Sequence, residues 1–591
     1  MRLINTNDGQ FEEFIGNDIP PYAILSHTWE DGEVTLADMR SGRYQMFRSK
    51  KGYKKIEMTC RMAKKDGYQY AWVDTCCIDK SSSAELTEAI NSMYQWYQRS
   101  SVCYVFLSDL PPSRVAPLEV ALARCRWFTR GWTLQELIAP QNVIFFDREW
   151  KDRGDKETLI DHLVSITGIN KGILRHTQSL SSMSVAQKMS WAASRTTTRI
   201  EDTAYCLLGL FNVNMTLLYG EGTKAFRRLQ EEIIKYTADF SIFAWKVPPE
   251  TKTKMHPGAR VYCGVLAESP LYFTGSKTLI KLPRDGDWRD FSMTNSGVKI
   301  QCQVLADPIP GKRAYSYVLP LNCSDIKRPI GIRLRKCGPD RFVRENPWEF
   351  VEYETIFWPN VPRVRYLLTE LAEVEARVIP EPLTDMRHLI AQCRRHALQI
   401  DYPLEMDIYD AWPWSRCDDE DRAFFVTGDG PWDSGSMRFT VKVDVTLPDE
   451  KKKTAEFEVM FYALGWSSTD INHLQCSLLE YQEHSAALYA TQTQIGAWDH
   501  NRYQLMEVLI HHKVPRKSAV IYKVKETDLF VLVSFTPVWI RNPHVCRNYF
   551  WKMEFTCKVY KEKDLPSGAV KHEQWKQDNW IKYPTWPLTT G

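Results

Sequence analysis

The chain has 591 residues, too many for one hydrophobic core, and roughly three or four domains of about 100–200 residues each are expected. Its 44% apolar and 25% charged content is that of a folded globular chain and excludes extended disorder. A net charge of +3 supplies no broad field for nucleic acid, and the short basic clusters at 48–51 and 451–453 read as solvated loops or helix ends.

The 15 cysteines are scattered, with no C-x-x-C pair, and no histidines stand at zinc-ligand spacing. Cys76 and Cys77 included, they read as buried thiols of a reducing compartment, and neither a metal nor a cofactor is expected. The start of the chain lacks a basic segment followed by an apolar one. No apolar run approaches the ~18 residues of a membrane span, so a cytoplasmic location without a membrane span is expected.

Strand-like and helix-like segments alternate over 1–150. Tyr22–Leu25 is an apolar run ending at Ser26-His27-Thr28. A helix over Lys51–Lys65 follows from Ile56, Cys60 and Ala63, and Gly67 stops it. Tyr70–Val73 is the next strand and ends at Asp74. Leu86, Ile90, Met93 and Tyr97 share one face of a helix over Glu85–Arg99. Strands over Val102–Leu107 and Asn142–Phe146 flank a helix over Trp132–Leu137. This alternation predicts a parallel sheet with helices on its faces. Ligands of such sheets lie beyond the carboxyl ends of the strands, which directs attention to Ser26, His27 and Asp74.

Residues 151–250 read as a helical extension, with helices over Asp155–Ile166, Val185–Ser194, Ile200–Leu210 and Thr223–Tyr236. A turn-rich stretch, Lys252–Gly258, then marks a boundary, and a fragment ending near 250 is expected to fold alone. Residues 255–360 read as a β-rich domain, with strands over Val261–Leu266, Val298–Val304, Tyr315–Leu319 and Ile330–Arg335. Residues 361–436 read as a mixed helical connector, helical over 365–400. Residues 437–591 return to β character. Tryptophans of the β regions, among them Trp358, Trp414 and Trp432, are expected to fill cores.

The first 245 residues carry an ordered series of motifs. Tyr22–Trp29 (YAILSHTW), Tyr70–Lys80 (YAWVDTCCIDK), Arg126–Glu136 (RWFTRGWTLQE), Ser190–Arg195, Arg199–Gly209 and Leu217–Gly222 follow one another. Together they resemble the heterokaryon-incompatibility (HET) domain of fungal proteins. That resemblance implies an effector of programmed cell death after self/non-self recognition, a form of innate immunity. It also implies self-association for activity and an unidentified non-self protein partner. HET domains are in turn similar to Toll/interleukin-1 receptor (TIR) domains, a flavodoxin-like fold, some of which hydrolyse NAD. Their catalytic glutamate follows a tryptophan by four residues in W-C-x-x-E. Here Trp132 and Glu136 have that spacing, with Thr133 in place of the cysteine.

Cleavage of an N-glycosidic bond passes through an oxocarbenium-like state, and nicotinamide is already a cationic leaving group. One carboxylate can therefore suffice where an O-glycosidase uses two. Glu136 is the candidate catalytic residue, and Ser26, His27, Trp29, Asp74 and Trp132 are the candidate substrate-binding residues. Trp132 is expected to be largely buried. A structural role remains open, in which Glu136 pairs with Arg126 or Arg130. So does a non-enzymatic module that acts by assembly. Gly220-Glu221-Gly222 mimics a dinucleotide fingerprint but follows a helix, so it reads as a turn. The chain has no G-x-x-x-x-G-K-[ST] motif, which removes a built-in nucleotide switch.

Overall fold

Tyr22–His27 (β3) and Val102–Phe106 (β5) are buried at every residue, as expected of strands covered on both faces. The computed structural model describes residues 1–16, 18–41 and 48–248, and from 262 to 565 a succession of strands and short connections.

The first sheet has seven strands. The others are Arg2–Asn5 (β1), Phe11–Glu13 (β2), Tyr70–Trp72 (β4), Val143–Phe146 (β6) and Asp152–Asp155 (β7). Their order is β2-β1-β4-β3-β5-β6-β7. β4, β3, β5 and β6 run parallel to one another. These four are the parallel strands expected, and the hairpin β1–β2 and strand β7 add antiparallel edges that make the sheet mixed. The short edges lack the long apolar runs that betray the central strands. β1 is nonetheless buried, and Arg2 anchors it through ion pairs to Glu13 at 2.8 Å and Glu85 at 2.9 Å.

Helices fill the crossovers. Tyr53–Lys65 buries Ile56, Thr59 and Ala63. Ser83–Arg99 buries Ala89, Ile90, Met93 and Tyr97, and the Ser82 hydroxyl caps it by accepting from the Glu85 N–H. Thr133–Ile138 is buried throughout. In the extension, Val185–Ala192 starts with a capping box formed by Ser184 and Gln187. The helix expected over Ile200–Leu210 is instead two short ones, Asp202–Tyr205 and Leu208–Phe211. Lys224–Tyr236 buries Phe226, Leu229 and Ile233 on one face.

Most of a second, larger β-sheet lies in the same compact unit, which comprises 1–307, 316–335 and 343–371. Its main path includes Phe291–Thr294, Gly297–Cys302, Arg363–Leu367, Arg341–Glu345, Arg328–Gly338 and Tyr315–Asp325. Where a helix was expected from 365, Arg363–Leu367 is a strand paired antiparallel with Gly297–Cys302. Residues 370–395 of that expected helix, the turn-rich 252–258, and Trp358, Trp414 and Trp432 lie outside the described residues.

Contacts run across the expected boundary near 250. The fully buried Gln230 donates to the Ala267 carbonyl at 2.8 Å and accepts from the Ala267 N–H at 2.9 Å. The Trp245 indole donates to the Val265 carbonyl at 2.8 Å. Arg344 donates to the carbonyls of Phe243 and Trp245, with its guanidinium 3.8 Å from the centre of the Trp245 ring.

The second unit lies mainly beyond 372. Its described residues form a six-stranded sheet, in which Leu529–Arg541 pairs with Tyr549–Lys561, and a four-stranded antiparallel sheet built on Gly435–Thr446 and Lys452–Leu464.

Candidate functional site

Ser26 lies one residue before the carboxyl end of β3 and is fully buried. A buried hydroxyl must find partners. Its Oγ accepts from the Trp127 indole N–H at 2.8 Å and donates to the Glu136 carboxyl. Trp127 belongs to the turn Arg126–Thr129 and is itself fully buried. Trp127→Ala should therefore cost about 3–5 kcal/mol, read as a lower midpoint of thermal unfolding. An unchanged midpoint would rule out this packing of the turn against β3.

Glu136 is 7% exposed. Burial raises its pKa to about 8, and the nearby Asp74 charge adds to the rise; hydrogen bonds from Ser26 and Tyr97 and the Arg195 charge oppose it. At neutral pH the carboxyl is therefore mostly protonated in this conformation. Neither arginine foreseen as a structural partner holds it. Arg126 pairs with Glu30 at 2.7 Å and Asp109 at 3.4 Å, and Arg130 reaches Thr198 at 3.3 Å. The charge facing Glu136 comes from Arg195, which donates to the Arg130 carbonyl at 2.8 Å and to the Thr133 hydroxyl at 2.9 Å. The single Thr133 hydroxyl proton is shared between the carbonyls of Trp127 and Arg130, both within hydrogen-bond reach. A cysteine there would hold this junction only weakly.

A second cluster surrounds His27. The imidazole is buried, with Nδ1 3.7 Å from Asp74 Oδ1 and Nε2 3.8 Å from Glu33 Oε1. Burial lowers its pKa, the Asp74 and Glu33 charges oppose that, and Lys55 and Lys80 reinforce it. Lys55 donates to the Thr28 carbonyl at 3.1 Å and pairs with Glu33. Trp29 is 49% exposed. Its indole N–H donates to Asp74 Oδ2 at 2.7 Å, and Lys80 Nζ lies 3.3 Å from its ring centre. Among the described residues, His27 Nε2, Asp74 Oδ1, Thr75 Oγ1, Gln135 Nε2 and Arg195 Nη2 are buried polar atoms without a hydrogen-bond partner. Such orphans are costly, and here they gather around the ends of β3 and β4 and the Glu136 helix.

The structure thus brings Ser26 and Glu136 into contact and sets His27, Trp29 and Asp74 together, with Asp74 close enough to act on Glu136. Trp132 departs from expectation. It is half-buried at the start of the Glu136 helix and reaches Asp202. The fully buried indole is that of Trp127. Trp127, Arg195 and Lys80 stood inside the quoted motifs, whereas Tyr97 carried only the signal of a core position and Glu33 none. Gly220 and Gly222, at φ of 103° and 62°, both donate backbone N–H groups to Glu201, at 2.8 and 3.1 Å. An internal carboxylate occupies the place where a dinucleotide fingerprint would hold phosphate.

Residues 22–119 match the family described as "Heterokaryon incompatibility protein (HET)". That span contains the first two motifs, β3 to β5 and the His27 cluster, and over it the chain carries a HET domain of the kind found in fungal incompatibility proteins. It is 47% identical over 247 residues to the "Vegetative incompatibility protein HET-E-1" of Podospora anserina, a match covering 40% of this chain and 18% of that relative. The chain therefore spans about a fifth of the length of this relative. Residues 224–301 match a "Domain of unknown function (DUF8212)", the segment that ties the last helix to the larger sheet. No solved structure gave a significant match.

Proposed function

We propose that the chain is a cytoplasmic effector of vegetative incompatibility that triggers cell death after meeting a non-self protein. Its α/β domain acts as a TIR-like NAD hydrolase once the chain self-associates. Resemblance to the incompatibility relative supports the first part. The contact of Glu136 with Ser26 at the carboxyl end of β3 carries the second. In chain order the four parallel strands stand 2-1-3-4. That is the order of flavodoxin-like sheets, whose ligands bind where the order reverses, here between β3 and β5.

In the reaction the bond between ribose C1′ and the pyridinium nitrogen breaks, and its electron pair leaves with neutral nicotinamide. Water then adds to C1′ and releases a proton. Ionised Glu136 would stabilise the cationic sugar. Because burial holds its pKa near 8, nicotinamide release should rise with pH from about 6 to 8.5. The test is concentrated full-length protein incubated with NAD over that range. Release that grows with protein concentration and pH is expected; none at any concentration up to pH 9 would end the enzymatic reading. The burial of Glu136 favours a second reading, a non-enzymatic module that signals by assembly. In that case Glu136→Gln would still kill when expressed in cells.

A further inference from the structure

Asp74, whose charge acts on Glu136, also borders a site already filled by a cation from the chain itself. Lys80 Nζ sits 3.3 Å from the centre of the Trp29 ring. Asp74 and Glu33 both act on that ammonium, and Asp74 also fixes the indole edge through its 2.7 Å hydrogen bond. His27 Nε2, on a residue 6% exposed, points toward Glu33 and has no hydrogen-bond partner among the described residues. Lys80 is exposed as a residue, although burial of its ammonium against the indole lowers its pKa; its stem stays at the surface, so the head can leave the indole face without breaking the core.

We infer that the Trp29 face is a binding site for a flat aromatic cation of the pyridinium type, and that Lys80 is its tethered competitor. The inference rests on the proposed hydrolase reading only for the identity of that ring as the cationic end of NAD. An indole flanked by carboxylates favours a cation over a neutral ring of the same shape. A pyridinium spreads its charge over a planar surface and is more weakly hydrated than an ammonium, so it can displace Lys80. Once the glycosidic bond breaks, nicotinamide is neutral and loses this advantage, and Lys80 returns. Lys80 thereby becomes a specificity and release residue.

The test uses full-length protein and two probes, the 1-methylnicotinamide cation and neutral nicotinamide, with binding followed by ligand-observed NMR. Lys80→Gln removes the competitor and should tighten binding of the cation about 10-fold, with nicotinamide affinity little changed. Trp29→Leu, at a half-exposed position, should abolish cation binding in both the parent and the Lys80→Gln background. Equal gains for the two probes, or no gain for the cation, would overturn the inference. The hydrolase reading fails separately. If the cation binds as described but NAD yields no nicotinamide, the site stands without the activity. If NAD is cleaved while Lys80→Gln leaves cation affinity unchanged, the activity stands without the site.

Discussion

On the proposed hydrolase reading, Glu136→Gln will cut nicotinamide release sharply while flattening the dependence of stability on pH. In the unfolded chain the carboxyl ionises near its ordinary value of 4.5, whereas burial holds it protonated to about 8 in the folded state. Folding therefore takes up a proton between those values. The associated stabilisation is fully present below pH 4.5 and is lost as pH rises through 8. Each unit corresponds to about 1.4 kcal/mol, so the parent should lose on the order of 3 kcal/mol between pH 5 and 7.5. Glutamine copies the shape of the protonated acid and cannot ionise. The variant should match the parent near pH 5 and melt higher at pH 8. Turnover should fall by about 10²–10³ because the charge needed by the cationic sugar is gone. Parallel pH–stability curves for the two proteins would show that Glu136 is ionised in the fold and would undo this account.

Arg344→Ala should give the largest loss of stability outside the candidate site. The arginine is fully buried, and burial lowers its pKa to about 10. It spans from the strand Arg341–Glu345 to the carbonyls of Phe243 and Trp245. Truncation leaves two buried acceptors without this donor and a cavity beside the Trp245 ring, costing on the order of 4 kcal/mol. Arg344→Met keeps much of the volume and removes the cost of burying a charge, so it should fall between alanine and the parent. Urea unfolding of the three proteins orders them; an alanine variant as stable as the parent would refute the tie.

The central strands were legible because both of their faces are buried. Tyr22–Leu25, Tyr70–Val73 and Val102–Leu107 are apolar runs ending in polar residues, and each is a strand in the fold. The edge strands were not. Phe11–Glu13 is half-buried or exposed and Asp152–Asp155 is polar, so neither shows alternation over enough residues to register. Ser26, Asp74 and Glu136 could be singled out from strand ends and motif spacing. Trp132 was misjudged because spacing along a helix does not say which face meets the sheet. The neighbouring Trp127, held in a tight turn, takes the interior position instead. Arg195, Tyr97 and Glu33 reach the site from other elements, through contacts that only tertiary structure brings about.

The two margins of the first sheet constrain how copies of this domain could polymerise. β2 is three residues long and contains Glu12 and Glu13, while β7 is four residues long and contains Asp152, Arg153 and Asp155. Brief, charged borders of this kind repel a like strand arriving in register. If copies self-associate as proposed, they would therefore not stack by extending the sheet into a continuous ribbon. On the proposed reading, any assembly would grow through helix faces and loop tips, as discrete side-chain contacts that charge substitutions could dissolve while the sheet inside each subunit stays intact.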